Sequence, residues 1–422
     1  MVAISVTLRL FEPMLHFSMT AAMLVNVVSA LFGLALLVPV SIFVIEAIAA
    51  VFGTPKKDAL DLPLSPKTAI LIPAHNESLV IRNTLQCLMA NLQGSENVVV
   101  VADNCSDDTA AIARSFGVTV LERQDNVRRG KGYALDFGLG YLAADAPDVV
   151  VVIDADCLVQ PNAIQNITRL AMTTDRPVQA CYLMEQPPTP TAKSAVSALA
   201  FLVKNWVRPV GVQRMGFPCL LTGTGMAFPW TALQTISLAS GNIVEDMQLS
   251  VDLAIAGKAP IFCEDALVIG CLPQQNDAAA EQRKRWEHGH LQTSLSQIPR
   301  LLNAFVDKKR FDLLAMALDF SIPPLSLLIL VWLGLCSTAA AFMFTGVIAP
   351  QVFGLIAVEG LLMLLAVGAS WIRFGREHVP AKALLGIPFY ILWKIPLYFA
   401  FLVKPQVEWV RTARDASPEV EA

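Results

Sequence analysis

Hydrophobic and polar positions fall into three regimes along the chain. From Pro13 to Ala50 only Glu46 is charged. A bilayer crossing takes roughly 20 apolar residues, so this block predicts one generous membrane helix centred on Leu24–Val44. It has no basic start and is too long for a cleaved leader, so it is expected to remain as an anchor. A polar linker follows, from Thr54 through Lys56, Lys57 and Asp58 to Pro63 and Pro66. Between Thr68 and Leu142 the pattern changes. Short apolar runs alternate with stretches of helical spacing. Ala69–Ile72, Val98–Ala102, Val118–Leu121 and Val149–Ile153 read as strands. Leu79–Leu92, a segment ending at Phe116 before Gly117, and Tyr133–Leu142 read as helices. This rhythm predicts an α/β domain with a mostly parallel sheet and helices on its faces.

After Gln160 the alternation loosens into a loop at Glu185–Pro190, an apolar helix at Ser194–Val203, and another helix ending near Ala256. The third regime begins beyond Lys308–Arg310. Leu313–Phe320 is expected along the membrane interface, with Asp312 and Asp319 on it. Leu325–Phe344 and Phe353–Ile372 are expected spans, the latter enclosing Glu359. Ala383–Val403 is apolar but holds Pro388, Lys394 and Pro396, which makes it a poor span. Basic residues mark cytoplasmic flanks, and Lys56/Lys57, Lys308–Arg310 and Arg373–Lys382 all fit a cytosolic central domain. The expectation is therefore three spans plus a re-entrant or interfacial segment, tail inside, with four spans as the alternative. The expected division is an anchor at 1–55, a cytosolic catalytic domain at 56–300, and an interfacial helix, spans and tail at 301–422.

Composition sharpens this picture in two places. Of 422 residues 55% are hydrophobic and 16% charged, a surplus carried by the two ends. The net charge of −4 gives no electrostatic case for a nucleic-acid partner. The eight cysteines form no Cys-x-x-Cys pair and read as reduced thiols in a cytosolic setting.

The candidate chemistry sits at strand ends. Val149–Cys157 is a β-branched run that stops at Asp154 and Asp156. In extended backbone these two carboxylates point the same way. Ligands of open α/β sheets sit beyond the carboxyl ends of the strands, and two carboxylates there invite an oxygen-ligated divalent cation. A turn or helix N-cap after the strand is the bland alternative. Asn76/Glu77 and Asp103 close two neighbouring strands, so three polar clusters are expected on one sheet edge.

Taken in order, four motifs resemble family 2 glycosyltransferases over roughly Thr68–Trp286. They are Ile72-Pro-Ala-His-Asn-Glu77, Asp103-Asn-Cys-Ser-Asp-Asp-Thr109, Asp154-Ala-Asp156, and Glu245-Asp246 followed by Gln282-x-x-Arg285-Trp286. The resemblance implies a Rossmann-like GT-A domain flanked by membrane helices. It places Pro73, His75, Glu77, Asp103, Lys131 and Asp154 around a nucleotide sugar, with UDP the expected nucleotide. Asp156 would hold Mg²⁺ or Mn²⁺. Asp246, beside Glu245, would take the acceptor's proton in an inverting transfer. Gly223, Thr224, Gln282, Arg285 and Trp286 would face acceptor and diphosphate. Val244 stands where the family often has Thr, and Asp108 where many members have Gly, so that turn is expected to differ. His288 and His290 lack partners at ligand spacing and are not expected to bind metal. Trp409 and Arg411 could reach back to the site.

The implied protein is a multi-pass enzyme of a bacterial-type inner membrane. It would transfer a sugar to a lipid or lipid-linked oligosaccharide acceptor in surface-polysaccharide or glycolipid synthesis. A processive polysaccharide synthase is the alternative. An inactive scaffold or transport subunit is the alternative from another class.

Overall fold

The structure, a computed structural model, describes residues 2–54, 66–186, 190–239, 244–271 and 276–403. Lys56, Lys57, Pro63, Trp409 and Arg411 lie outside the described residues. Among the described residues eight strands form one sheet, ordered β3-β2-β1-β4-β7-β6-β8-β5. The first half is parallel: β1 (Thr68–Ala74) lies between β2 (Asn97–Asp103) and β4 (Val149–Val152), and β3 (Thr119–Arg123) flanks β2. The second half is mixed. β7 (Met226–Pro229) runs antiparallel to β4 and to β6 (Val178–Glu185). β8 (Ile261–Cys271) is parallel to β6 and antiparallel to β5 (Cys157–Val159). The parallel strands were expected from the sequence; β5 to β8 were not.

The strand period divides the core into two layers. Ile70 and Ile72 of β1 join Val98 and Val100 of β2 against α2 (Ile81–Ala90), α3 (Thr109–Arg114) and α5 (Ala163–Thr174). Ala69 and Leu71 face the other way, with Val99 and Val101, onto α4 (Lys131–Leu142), the single turn α8 (Trp230–Leu233) and α9 (Glu245–Ile255).

A third apolar layer joins the sheet to the hydrophobic ends of the chain. α1 (Val2–Phe52) contains an apolar stretch, Thr20–Phe52, of 33 residues. At ~1.5 Å per residue it is about 50 Å long, against a hydrocarbon core of roughly 30 Å. The surplus is packed into protein. Val40, Phe43 and Ala47 are buried with Cys181 and Leu183 of β6, Phe262 of β8, and Val207 and Val210. Here α6 (Ala192–Leu202) passes through a π-turn, Val203–Val207, into α7 (Arg208–Arg214). Gly211 lets α7 close on α1, because any Cβ there would overlap the carbonyl of Glu46. Glu46 is itself buried and accepts from Arg208 Nε at 2.9 Å.

The remaining helices are α10 (Asn276–Lys308), α11 (Phe311–Phe320), α12 (Leu325–Phe344), α13 (Pro350–Ser370), α14 (Ala381–Leu384) and α15 (Ile387–Val403). Three helices among the described residues are long and apolar enough to cross a membrane: Thr20–Phe52, Leu325–Phe344 and Pro350–Gly375. α15, with 17 residues, falls short of that length. α11 covers the segment expected along the membrane interface. Leu313, Met316, Ala317 and Phe320 are buried, and Asp319 pairs with Arg208.

Candidate active site

The ends of β1, β2 and β4 open into one cavity of about 330 Å³. Pro73, His75 and Glu77 enter it from beyond β1, Asp103 from β2, and Asp154 and Asp156 from beyond β4. The loops at these ends are cross-braced. Asp107 accepts from Ser78 N at 3.1 Å and from the Thr109 hydroxyl at 2.5 Å. Those bonds, working against burial, pull its pKa down to about 2. Thr109 in turn accepts from Glu77 N at 2.8 Å. Asp108 has φ −78°, ordinary right-handed space. The turn that many relatives make with Gly therefore needs no glycine here.

Asp103 is buried and accepts from Arg123 Nη1 at 2.6 Å. Its backbone carbonyl lies 2.7 Å from His75 Nδ1. Asp154 pairs with Lys131, whose ammonium also donates to the Gly223 carbonyl at 2.8 Å. Lys131 begins α4 immediately after Gly130, whose φ of +126° only glycine adopts readily. Burial alone would depress this ammonium, but Asp154, Glu245 and Asp246 outweigh it and hold the pKa above the usual lysine range.

Glu245 and Asp246 open α9 and face the same cavity. A Cβ on Gly223 would lie 3.4 Å from Asp246 Oδ2 and 3.5 Å from Lys131 Nζ. Gly223, with φ +92°, therefore brings its backbone close beneath two charged side chains. Burial raises the pKa of both carboxyls, against the pull of Lys131 on Glu245 and of Lys204 and Lys131 on Asp246. Gln282, Arg285 and Trp286 of α10 also line the cavity. The Trp286 ring lies 5.7 Å from Phe201, which stacks edge-on to Tyr182 at 5.3 Å.

Thr224 departs from its expected place. It is fully buried, outside the cavity wall, and its hydroxyl accepts from Asp154 N at 3.0 Å. It supports the loop that carries Asp154 and Asp156 and does not line the cavity. The histidines also have structural partners: His288 Nε2 lies 3.0 Å from the Leu397 carbonyl and His290 Nε2 3.3 Å from that of Ile322.

Several lining residues escaped sequence reasoning. Lys204 and Asn205 come from the π-turn, Arg208 from α7, Phe43 from α1, Ser326 from α12 and Tyr390 from α15. Arg208 is held between Glu46 and Asp319, donating also to the Asp319 carbonyl at 2.9 Å. The signal that could have found them is a charge inside an apolar stretch: Glu46, Lys204 and Lys394 are each of that kind. Lys394 is completely buried and pairs with Glu287, another lining residue.

The described family "glycosyltransferase like family 2" matches residues 66–289. The chain is 40% identical over 100 residues to "Probable glycosyltransferase YdaM" of Bacillus subtilis (strain 168), covering 22% of this chain and 23% of that protein. It is 33% identical over 100 residues to "Uncharacterized protein MJ1222" of Methanocaldococcus jannaschii, covering 24% of this chain and 40% of that one. The match thus spans less than half the length of either relative. A mannosyltransferase, PcManGT, from Pyrobaculum calidifontis, solved with GDP-Man and Mn²⁺, superposes with a TM-score of 0.56 at 17% identity. That likeness covers 90% of this chain and 100% of the solved one, and shows a shared fold.

Proposed function

We propose, from the premise that the chain belongs to glycosyltransferase family 2, that it moves a sugar from a nucleotide-diphosphate sugar to a hydroxyl of a lipid or lipid-linked saccharide. One observation carries this reading. A single cavity joins the acidic strand ends to Glu245 and Asp246, and also reaches Phe43 of a helix long enough to cross a membrane. A donor bound at the strand ends would therefore face an acceptor arriving from the bilayer.

Asp154 and Asp156 offer carboxylate oxygens within 4.8 Å of one another. These are the hard donors that Mg²⁺ and Mn²⁺ take. Cys157 Sγ belongs to the same cluster. Its thiol donates to Asp156 at 3.7 Å, and burial, with Asp156 and Asp154 nearby, raises its pKa. Sulfur is a soft donor and a poorer match for Mg²⁺ or Mn²⁺ than the two carboxylates. The ion, when bound, would neutralise the departing diphosphate. The mannosyltransferase named above carries Mn²⁺ with its nucleotide sugar, which supports this choice.

The chain's own groups divide the remaining work. Glu77 and Asp103 accept from nucleoside hydroxyl or N–H groups. Lys131 and Arg285 supply positive charge along the diphosphate. Asp246 takes the acceptor's proton while that oxygen forms a bond to the anomeric carbon. The bond to the nucleoside diphosphate breaks on the opposite side, so configuration inverts. Residues 56–300 would form the cytosolic catalytic unit, with the flanking helices in a cell membrane.

The polar groups Lys204, Asn205, Arg208, His290 and Ser326 at the membrane end favour a second reading, a processive synthase that feeds its product toward the bilayer. One experiment addresses both. The full chain in lipid nanodiscs is given UDP- and GDP-sugars with Mn²⁺ or Mg²⁺ and a membrane lipid extract. Nucleotide release is followed, and products are sized by mass spectrometry. Single additions support transfer to a lipid, and a ladder of sizes supports the synthase. No nucleotide binding and no release with any donor would defeat both.

A further inference from the structure

Lys394 sits in the middle of the apolar helix α15 and is nevertheless completely buried. Its ammonium pairs with Glu287 of α10, the residue that follows Trp286. Among the described residues no other ion pair reaches Glu287. Two further contacts join the same two helices. His288 Nε2 donates to the Leu397 carbonyl at 3.0 Å, and the Arg283 guanidinium lies 5.4 Å from the centre of the Trp393 ring. α15 is itself pinned from the far side, because the Tyr398 and Ser326 hydroxyls share a hydrogen bond of 2.6 Å.

The helix period connects these contacts to the site. Gln282, Arg285 and Trp286 are spaced i, i+3, i+4 and share one face of α10. Arg283 and Glu287 are spaced i, i+4 and share the adjoining face, which meets α15. The turn that brings Arg285 to the cavity is therefore held from its side by α15. A largely buried carboxylate that loses its cation seeks another. The other cations acting with Glu287 are Arg283 on its own helix and Lys204 on the π-turn. Without Lys394, Glu287 would turn toward these, and Arg285 would shift with the same turn of helix. An apolar pair would join the two helices about as firmly; what a buried ion pair adds is a fixed register.

We infer that Lys394 is a positioning residue: through Glu287 it sets where Arg285 stands in the cavity. The inference rests on the transferase reading above, in which Arg285 meets the donor's diphosphate. It goes beyond that reading by making α15, the apolar helix that falls short of a crossing, a strut of the donor site.

The test uses the full chain in zwitterionic nanodiscs with Mn²⁺. UDP and GDP binding are measured by titration calorimetry, and the tighter nucleotide serves as the probe. Lys394→Met and Glu287→Gln should each weaken it by about fivefold, a partial loss of one charge-assisted contact. The two together should be no worse than either alone, because residues acting as one unit are not additive. Arg285→Met should also weaken the probe, and adding Lys394→Met to it should change nothing more. Lys394→Arg, which keeps a cation, should recover most of the affinity. Chemical denaturation checks that each variant folds; if Lys394→Met does not, Glu287→Gln combined with Arg285→Met gives the same comparison. The inference is overturned if Lys394→Met lowers stability while nucleotide affinity stays unchanged, if its effect adds in full to that of Arg285→Met, or if Arg285→Met itself leaves affinity intact. Failure of both nucleotides to bind the wild-type chain would remove the transferase reading itself.

Discussion

At the proposed donor end of the cavity Glu77, Asp103 and Asp154 stand just beyond or at the ends of β1, β2 and β4, each within a few residues of the strand that carries it. At the proposed membrane end Phe43, Lys204, Arg208, His290 and Ser326 come from α1, the π-turn, α7, α10 and α12. The donor end is assembled by local chain geometry plus a parallel sheet, which fixes where strand ends point. The membrane end exists only after segments more than a hundred residues apart have packed. The Arg208–Glu46 and Arg208–Asp319 pairs span 162 and 111 residues. Substitutions at the two ends should accordingly fail in different ways: chemistry first at one, folding first at the other.

The largest effect expected is at the boundary between them. Asp246→Asn should lower sugar transfer by about three orders of magnitude or more, within the range of lost general-base catalysis and charge stabilisation. UDP affinity, measured by calorimetry, should stay within about twofold. Because burial raises the Asp246 and Glu245 pKa values, wild-type kcat/KM should begin to fall above the ordinary carboxylate range as pH is lowered. An acid limb at about 4, where a free Asp titrates, would show that the base is elsewhere.

Arg208→Met should come next, acting on the fold. It leaves Glu46 and Asp319 buried without their cation, a loss of about 3–5 kcal/mol for broken buried pairs. Chemical denaturation in detergent micelles reads that loss. Equal stability of the variant would mean that the three-way pairing is not what docks α7 between α1 and α11.

A smaller, pH-dependent effect is expected at His290. Its imidazole is buried near Lys204 and Arg208, and its pKa falls to about 3. The folded state thus keeps it neutral while an unfolded chain, with a pKa of roughly 6.5, takes a proton. Its full contribution is present above that value. The contribution declines by about 1.4 kcal/mol per pH unit as pH drops toward 3. His290→Gln should flatten the difference in stability between pH 7 and pH 5; an unchanged difference would place the acid sensitivity in other groups.

The smallest is Asp108→Gly. Asp108 precedes α3 with negative φ and no side-chain cap, so the change should cost about 0.5 kcal/mol through backbone entropy and leave transfer unaffected. A clear gain in activity would show that the Asp-containing turn constrains the donor loop.

The same contrast explains what could be read in advance. β1 to β4 and their helices were legible because their apolar runs are bounded by Gly, Pro, Asn and Asp. The carboxylates that close them repeat a recognisable order. β5 is only three residues long, and β8 is interrupted by Glu264 and Asp265, so neither gives a clean strand period. Thr224 was legible as part of a small-residue loop but not as a buried support for Asp154. Lys204 sits at the end of an apolar helix, where sequence cannot say that a π-turn will rotate it into a cavity.

Gly211 carries a consequence for how such a chain is made. It permits backbone contact between α7 and the carbonyl of Glu46, so the first helix is an internal wall of the sheet domain as well as an apolar rod long enough to cross a membrane. A version shortened to remove that helix would lose the surface on which Val207, Val210 and Phe262 close. The sheet therefore completes itself against a segment that is also long and apolar enough to cross a membrane, so the same helix serves the core of the domain and any anchoring it provides.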